Sequence, residues 1–435
     1  MTARDADMTM LPRVSHLLNG SPGETMSRNN IVVGLDIGTT KVTAIVGEEK
    51  DHRLDVIGLG VHASEGLRKG VVVNIDATVR SIRAAIDDAE RMAGCEISAV
   101  YVGIAGGHVR SLNSHGMVAI KDREVSEHDV QRALEAAQAV AIPMDREVIN
   151  IIPQEYVIDD QDGIRSPLGM SGVRLAARVH IVTAAVASAQ NIIKCCNAAG
   201  LNVRDICLEQ LASSRACLTD DERELGVMLI DVGGGTTDVA IFRRGAVVHT
   251  SVLALGGDHV TNDIAYGLRT PIHAAESIKQ RYGVALASLI ERNEHFEVPS
   301  VGGHRSREAD QVTLNQIIEP RIQEVFDLVS GELRKSGMDD LLAAGVVVTG
   351  GSALLPGVPE VAERVFGMPA RSGVPRGVAG LIDVVDSPMY STAVGLLMYG
   401  ADQDRQETRF RIRDKEDNIY NRVKGRMTEW FGAFF

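Results

Sequence analysis

Two stretches far apart in the chain repeat one arrangement of carboxylate, glycine and threonine: Leu35-Asp36-Ile37-Gly38-Thr39-Thr40 and Ile230-Asp231-Val232-Gly233-Gly234-Gly235-Thr236-Thr237-Asp238. Each follows a β-branched run and leads into another, VTAIVG after the first and VAIFRRG after the second, so each reads as a strand-turn-strand hairpin. Glycines let backbone amides come close to phosphate oxygens, and a concave set of such amides is an anion nest to which threonine hydroxyls add donors. Asp36 and Asp231 would repel a bare phosphate. They make sense at the strand ends if they hold a hydrated Mg2+, which keeps several waters and takes few carboxylates. One such turn alone is an ordinary hairpin more often than a ligand site. Two of them imply a duplicated fold whose hairpins face one another and clamp a triphosphate from both sides.

Other residues fit the same cleft. Val346-Val347-Val348-Thr349-Gly350-Gly351-Ser352 is a buried strand running into a glycine turn, and α/β sheets bind ligands at strand C-termini, so Gly350 and Gly351 would let the backbone pass under an adenine or ribose. Glu276 and Lys279 stand three apart on one helical face; they either grip the sugar and base edge or form a surface ion pair worth a few tenths of a kcal/mol. Lys41 follows the first hairpin, and its direction is open. Glu209 enters a helix between the two hairpins, where it either orients a water toward the γ-phosphate or merely complements the helix dipole.

The elements that must position these groups alternate between strand and helix from Ile31 to about residue 400, an α/β architecture. The runs IVVGLDIG, KVTAIVG and LDVIGLGV predict a strand meander, and Val79, Ile82, Ala85, Ile86 and Ala89 predict a helix over 76–93. Two segments, 159–174 and 293–312, read as exposed loops. Residues 1–29, broken by Pro12, Gly20, Pro22 and Gly23, read as a disordered extension, and the charge-dense stretch 401–416 reads as a linker. At 435 residues the chain needs two principal domains. Its net charge of −13 argues against general nucleic-acid binding. Cys95, Cys195, Cys196, Cys207 and Cys217 lack C-x-x-C spacing and read as buried thiols of a cytoplasmic protein.

The C-terminal segment, residues 419–435, has the composition of an interfacial helix, with a helix that docks on the core as the alternative. Tyr420, Val423, Met427, Trp430, Phe431 and Phe434 recur at helical spacing, with Arg422, Lys424 and Arg426 off that stripe. Each large apolar side chain buried in a lipid surface would gain about 1.5 to 3 kcal/mol, and each basic residue near an anionic leaflet about 1 kcal/mol. A helix this short is marginal in water, so one tail binds reversibly and an array of tails binds tightly.

The three glycine elements, in this order, resemble the phosphate 1, phosphate 2 and adenosine motifs of the actin, sugar-kinase and heat-shock-chaperone superfamily. From about residue 30 onward the chain is more specifically similar to the FtsA family of bacterial actin-like cell-division proteins. The segments that carry the similarity are LDIGTTKV (35–42), IPQEYVID (152–159), SGVR (171–174), DERELGVMLIDVGGGTTDVAIF (221–242), VTNDIAYG (260–267), VPSVGG (298–303), VVVTGGSALLPG (346–357) and YSTAVGLLMYG (390–400). The resemblance implies an actin-like two-lobed fold with a duplicated ATPase core. Subdomain 1A would take 30–95, 175–220 and a return at 380–400; 1C would take 96–174; 2A would take 221–269 and 341–379; 2B would take 270–340; and an amphipathic membrane-targeting helix would take 417–435.

It also implies ATP and Mg2+ as cofactors, with contacts from Gly38, Thr39, Thr40, Gly233, Gly234, Gly235, Thr236, Glu276, Lys279, Gly350, Gly351 and Ser352. The partners it implies are the C-terminal peptide of FtsZ on 2B, later division proteins on 1C, further copies in a filament, and an anionic surface at the cytoplasmic face of the inner membrane. Two rival readings share the cleft: a sugar-kinase-like phosphotransferase, which would need a substrate-facing base, and an actin-like protein of another membrane machine such as pilus assembly.

Overall fold

The computed structural model describes residues 31–413 apart from His52 and His304. The expected extension over 1–29 and the interfacial helix over 417–435, with Tyr420, Val423, Lys424, Met427, Trp430, Phe431 and Phe434, lie outside the described residues.

The first lobe begins as the predicted meander: β1 (Ile31–Ile37), β2 (Lys41–Lys50) and β3 (Arg53–Ala63), followed by a small hairpin of β4 (Leu67–Arg68) and β5 (Val71–Val72). Helix α1 (Ile75–Ala93) covers one face; Asn74 caps its start by accepting a hydrogen bond from the Ala77 amide, and Gly94, at φ 70°, ends it. Strand β6 (Ala99–Ile104) pairs with β1 in parallel. An inserted unit follows, made of β7 (Arg110–Ala119), α2 (Glu127–Gln138), β8 (Arg146–Ile158), β9 (Gln161–Ile164) and β10 (Arg174–Ala185) in the order β7-β10-β8-β9. The chain then returns through α3 (Val186–Ala198), β11 (Asn202–Leu208) and α4 (Glu209–Cys217).

The second lobe runs α5 (Asp220–Leu225), β12 (Val227–Val232), β13 (Thr237–Arg243), β14 (Ala246–Leu253), α6 (Gly257–Gly267), α7 (Ile272–Tyr282), β15 (His295–Val298), β16 (Arg307–Asp310), α8 (Gln311–Ser336), β17 (Val346–Thr349), α9 (Val358–Phe366) and β18 (Ala370–Ser372). Strand β19 (Ala379–Gly380), α10 (Ile382–Val385) and α11 (Ser391–Arg413) bring the chain back to the first lobe.

The sheets β3-β2-β1-β6-β11 and β14-β13-β12-β17-β18 are one topology used twice: two antiparallel pairings, then two parallel ones. The inner strands are apolar on both faces because both are covered. Val33, Leu35 and Ile37 of β1 pack with Ile82, Ala85 and Ala89 of α1, whereas Val32 faces the opposite core. That second core joins the lobes. It combines Val32 and Ile45 of the first sheet, Leu229, Ala240 and Val347 of the second, Ala216 of α4, and Ala393, Val394 and Leu397 of α11.

Two sequence boundaries move. The inserted unit, expected over 96–174, spans 110–185 as strands and helix, because β6 completes the first sheet and β10 pairs with β7 and β8. The apolar runs of β6 and β10 look alike in sequence; tertiary pairing decides which sheet each joins. The linker expected over 401–416 is instead, as far as Arg413, the continuation of α11. Three of its charges pair with the body: Asp402 with Arg215, Asp404 with Arg204 at 2.7 Å, and Arg405 with Glu49 at 2.6 Å. Within the expected loops, β9 lies in 159–174, and β15 pairs with β16 in 293–312.

Backbone contact sets the position of α4 under α11. A Cβ on Gly395 would stand 1.8 Å from the Ala212 carbonyl oxygen, closer than any atom can come. Gly395→Ala should therefore force α11 off α4 and cost about 1 to 3 kcal/mol, read as a fall in denaturant midpoint.

The inserted sheet docks on β14 through polar contacts. Gln154 donates to the Val247 carbonyl at 2.8 Å and Ser111 to the Thr250 carbonyl at 3.0 Å, while His180 sits between Asn113 Oδ1 (2.7 Å) and Thr250 Oγ1 (2.9 Å). Burial, aided by nearby His249, holds the His180 pKa down at about 4 against an ordinary 6.5. Unfolded chain thus takes up a proton near pH 6.5 that folded chain refuses until about pH 4. Stability present at neutral pH is lost as pH falls through that window, by up to about 3 kcal/mol from this one group. Urea denaturation at pH 7 and pH 4.5 should register the loss, and His180→Gln should reduce it.

Candidate functional site

The two hairpins are closed by the same bond. The Gly38 amide donates to the Lys41 carbonyl at 3.0 Å, and the Gly233 amide donates to the Thr236 carbonyl at 2.9 Å. Their tips meet across the lobes. A Cβ on Gly234 would lie 1.8 Å from Thr40 Oγ1, and one on Gly235 2.5 Å from Thr39 Oγ1, so only glycine permits the approach. The start of α6 is stitched to the second hairpin, with the Gly257 amide donating to the Gly233 carbonyl (2.9 Å) and the Asp258 amide to the Gly234 carbonyl (2.8 Å).

The glycine turn after β17 abuts the same place. Thr349 is the parallel partner of Asp231, and at Gly350 (φ 87°) a Cβ would stand 2.4 Å from Asp231 Oδ1. Gly351 faces open space, and Ser352 Oγ reaches toward the Gly233 carbonyl at 3.4 Å. Glu276 and Lys279 form no loose surface pair. Their 2.7 Å bridge leaves the lysine side chain 11% exposed, and Lys279 Nζ also donates to Thr261 Oγ1 (2.8 Å) and the Gly257 carbonyl (3.2 Å). Burial opposes the charge on Glu276, but Lys279 and Thr261 outweigh it and hold the carboxyl below its ordinary value.

All of these groups border one cleft of about 440 Å3. Asp36, Gly38, Thr39, Thr40, Lys41, Glu209, Asp231, Gly233, Gly234, Gly235, Thr236, Glu276, Lys279, Gly350, Gly351 and Ser352 are brought together there. The direction of Lys41 is now defined: Nζ turns inward and donates to the Met389 carbonyl at 2.7 Å and to Thr43 Oγ1 at 2.9 Å. Glu209 opens α4 with its side chain against Gly103.

Among the lining residues that had no role in the sequence reading, two bear on Asp231. Asp238 is the cross-strand partner of Asp231, so once the hairpin register is fixed the two carboxylates stand opposite one another. Thr392, in the first turn of α11, donates to Asp231 Oδ2 at 2.9 Å. The register could have been counted out from the hairpin, whereas nothing in YSTAVGLL marks Thr392.

The electrostatics are those of a site short of positive charge. Burial pushes up the carboxyls of Asp36 and, strongly, Glu209; it raises Asp231 to about 6 and, with Asp231 adding repulsion, Asp238 to about 8. Burial also draws Lys41 down, resisted by Asp36, Asp231 and Glu209. Asp238 Oδ1 is buried with no hydrogen-bond partner among the described residues. Among the described residues no three of these side chains converge to ligate a metal ion directly; four carboxylates around one lysine, one with an orphaned oxygen, suit a cation held through its water shell. The glycine turns and threonine hydroxyls beside them suit phosphate oxygens.

Fold and cleft together define an actin-like protein, two lobes built on a duplicated sheet. Among solved structures, the PilM–PilN type IV pilus biogenesis complex matches with a TM-score of 0.63 at 16% identity, over 85% of this chain and 98% of that one. MreB5 of Spiroplasma citri bound to ADP matches with 0.52 at 16% identity, over 87% and 98%. Residues 228–395 match the family model of the cell division protein FtsA, and residues 106–183 that of the SHS2 domain inserted in it. The Pseudomonas aeruginosa cell division protein FtsA is 58% identical over 377 residues, covering 86% of this chain and 90% of that protein; the Escherichia coli K12 protein is 46% identical over 378 residues, covering 85% and 90%. The chain belongs to the FtsA family of cell division proteins.

Valine in place of Gly234 would occupy the space of the Thr40 side chain and wedge the hairpins apart. Gly234→Val should weaken binding of a fluorescent ATP analogue by at least about tenfold, as a poorly fitting group in a tight site does, with the far-UV circular dichroism of the wild type retained.

Proposed function

We propose that this chain is an ATP-binding, polymerising adaptor that tethers the FtsZ ring to the cytoplasmic face of the inner membrane and helps to recruit later division proteins. The observation that carries the nucleotide part is the meeting of three glycine turns and four carboxylates on one cleft. The similarity in fold to an MreB bound to ADP supports it. In this reading Gly38, Thr39, Thr40, Gly233, Gly234, Gly235 and Thr236 hold the phosphates, Glu276 and Lys279 hold the sugar, and Gly350, Gly351 and Ser352 lie under the base. Asp36 and Asp231 hold Mg2+ through water. The metal would offset phosphate charge between the hairpins, where bare carboxylates repel it. Glu209, aimed into the cleft from the start of α4, orients a water, and turnover is slow.

The membrane part rests on the apolar and basic pattern at 419–435, together with membership of a cell-division family. No helix among the described residues is long and apolar enough to cross a membrane. The FtsZ peptide belongs, by family resemblance, on the unit around α7 and α8, later division proteins on the inserted sheet, and further copies end to end in a filament. A sugar kinase has no use for such a tail.

Co-flotation with vesicles containing anionic lipid tests the reading. Full-length chain with ATP and Mg2+ should float with the vesicles and form filaments on them in electron micrographs, and a chain lacking residues 419–435 should stay in solution. Undiminished flotation of the truncated chain would refute the anchor.

A further inference from the structure

The first turn of α11 and the Pro388–Tyr390 turn just ahead of it together touch all three glycine motifs of the cleft. The Met389 carbonyl, just ahead of the helix, accepts from Lys41 Nζ, next to the first hairpin, at 2.7 Å. The Pro388 carbonyl accepts from the Gly350 amide at 3.2 Å, and Thr349 Oγ1 lies within hydrogen-bond distance of the Gly373 carbonyl (2.8 Å), the Pro388 carbonyl (3.2 Å) and Ser391 Oγ (2.7 Å). Thr392 Oγ1 donates to Asp231 Oδ2 at 2.9 Å, a bond within the protein interior, with Thr392 9% and Asp231 6% exposed. One helix end thus holds the lysine of the first lobe, the carboxylate of the second and the turn that would lie under the base.

The consequence for Asp231 is that its orientation is fixed from both sides. Oδ2 is engaged by Thr392, a Cβ on Gly350 would stand 2.4 Å from Oδ1, and the Ser213 hydroxyl is a second donor beside the carboxylate. A carboxylate that holds a cation through water must present a lone pair in one direction, and its own hydrogen-bond partner decides which. Aspartate side chains otherwise rotate about a soft terminal torsion. The residues of the cleft fit a hydrated divalent cation on their own chemistry, so the residue that fixes Asp231 tunes how that cation is held.

We propose that Thr392 is a positioning residue for the metal: its hydroxyl fixes the Asp231 carboxylate so that Mg2+ is held with the nucleotide, and it thereby ties α11 to the state of the cleft. This rests on the reading of the cleft as a Mg2+–ATP site. Thr392 touches neither metal nor nucleotide in this role, and Lys41, clamped to Met389, supplies the compensating charge behind the carboxylates. A hydroxyl is what the role requires. Serine satisfies it, and valine, of the same shape, does not.

The test is equilibrium binding of ATP to the full-length protein, measured with Mg2+ and again in EDTA, for wild type, Thr392→Val and Thr392→Ser. Loss of a partner that orients a metal-holding group typically weakens metal affinity by roughly 10- to 100-fold. T392V should therefore need roughly that much more Mg2+ to reach half of the Mg2+-dependent gain in ATP affinity, with the loss confined to that gain, and T392S should restore it. Equal losses in Mg2+ and EDTA, or no loss at all, would overturn the role of Thr392. A wild type that binds ATP equally with and without Mg2+ would overturn the metal reading beneath it. Should T392V not reach the folded state, judged by circular dichroism and thermal unfolding, Thr392→Ala gives the same comparison with less bulk against Asp231.

Discussion

The two lobes touch where the backbone of Gly234 and Gly235 meets the hydroxyls of Thr40 and Thr39, at a separation that excludes any Cβ. That contact constrains both sheets at once. Each hairpin is closed by the same turn bond and rooted in a strand buried on both faces, so neither tip can retreat without disturbing a core. The cost of placing Asp36 and Asp231 at such a junction is like-charge repulsion in a poorly solvated place, visible as carboxyls pushed above their ordinary range chiefly by burial. A purely structural hinge would not keep four carboxylates there, since replacing buried charges by apolar residues commonly stabilises a fold. The cluster makes sense as a site held ready for a cation that arrives with its ligand.

Helices α4 and α11 carry the other half of that arrangement. They lie between the duplicated sheets and share one apolar core with both, so a displacement of either sheet is felt by both helices. Their ends nearest the cleft carry its side chains: α4 begins with Glu209, and the first turn of α11 carries Thr392. Further along, α11 is held to the first lobe by Tyr399 to Asp205 at 2.6 Å and by the ion pairs of Asp402, Asp404 and Arg405. Isolated surface pairs are weak, but several on one helix fix its axis cooperatively. The glycine contact of Gly395 on Ala212 sets the depth at which it lies.

Much of the cleft could be read from the sequence because backbone chemistry dominates it. Glycine at Gly38, Gly233, Gly234, Gly235, Gly350 and Gly351 is a statement about space and turn geometry, and those requirements are local. The duplication made the two hairpins interpretable together, and β-branched runs on either side identified their strands. What was not legible depends on pairing across the chain. Asp238 gains its meaning only from the register that sets it opposite Asp231, and Thr392 only from the docking of a helix 161 positions later in the chain. The inserted sheet was misjudged at both ends for the same reason, since AVYVGI and LAARVHIVTAA are equally good strands for either sheet. The charges of ADQDRQ looked like a solvated linker because their partners, Arg204, Arg215 and Glu49, lie hundreds of positions upstream.

The docking of the inserted sheet bears on how the lobes relate. That unit grows out of the first lobe between β6 and α3, yet its strands reach β14 of the second through Ser111, Asn113, Gln154 and His180. Besides the apolar core they share, the two lobes meet at the glycine tips and through a patch of side-chain hydrogen bonds at the edge strand. The linkages differ in kind. Glycine against threonine tolerates no intrusion, and any ligand entering there must move the lobes. The polar patch on β14 can exchange its partners for water at modest cost, since a typical hydrogen bond contributes only about 1 kcal/mol net. A change of separation at the tips would therefore be felt at the edge strand as well, because the inserted unit grows out of the first lobe between β6 and α3. Under the function proposed above, a partner bound to that unit would sense a nucleotide-dependent change at the tips.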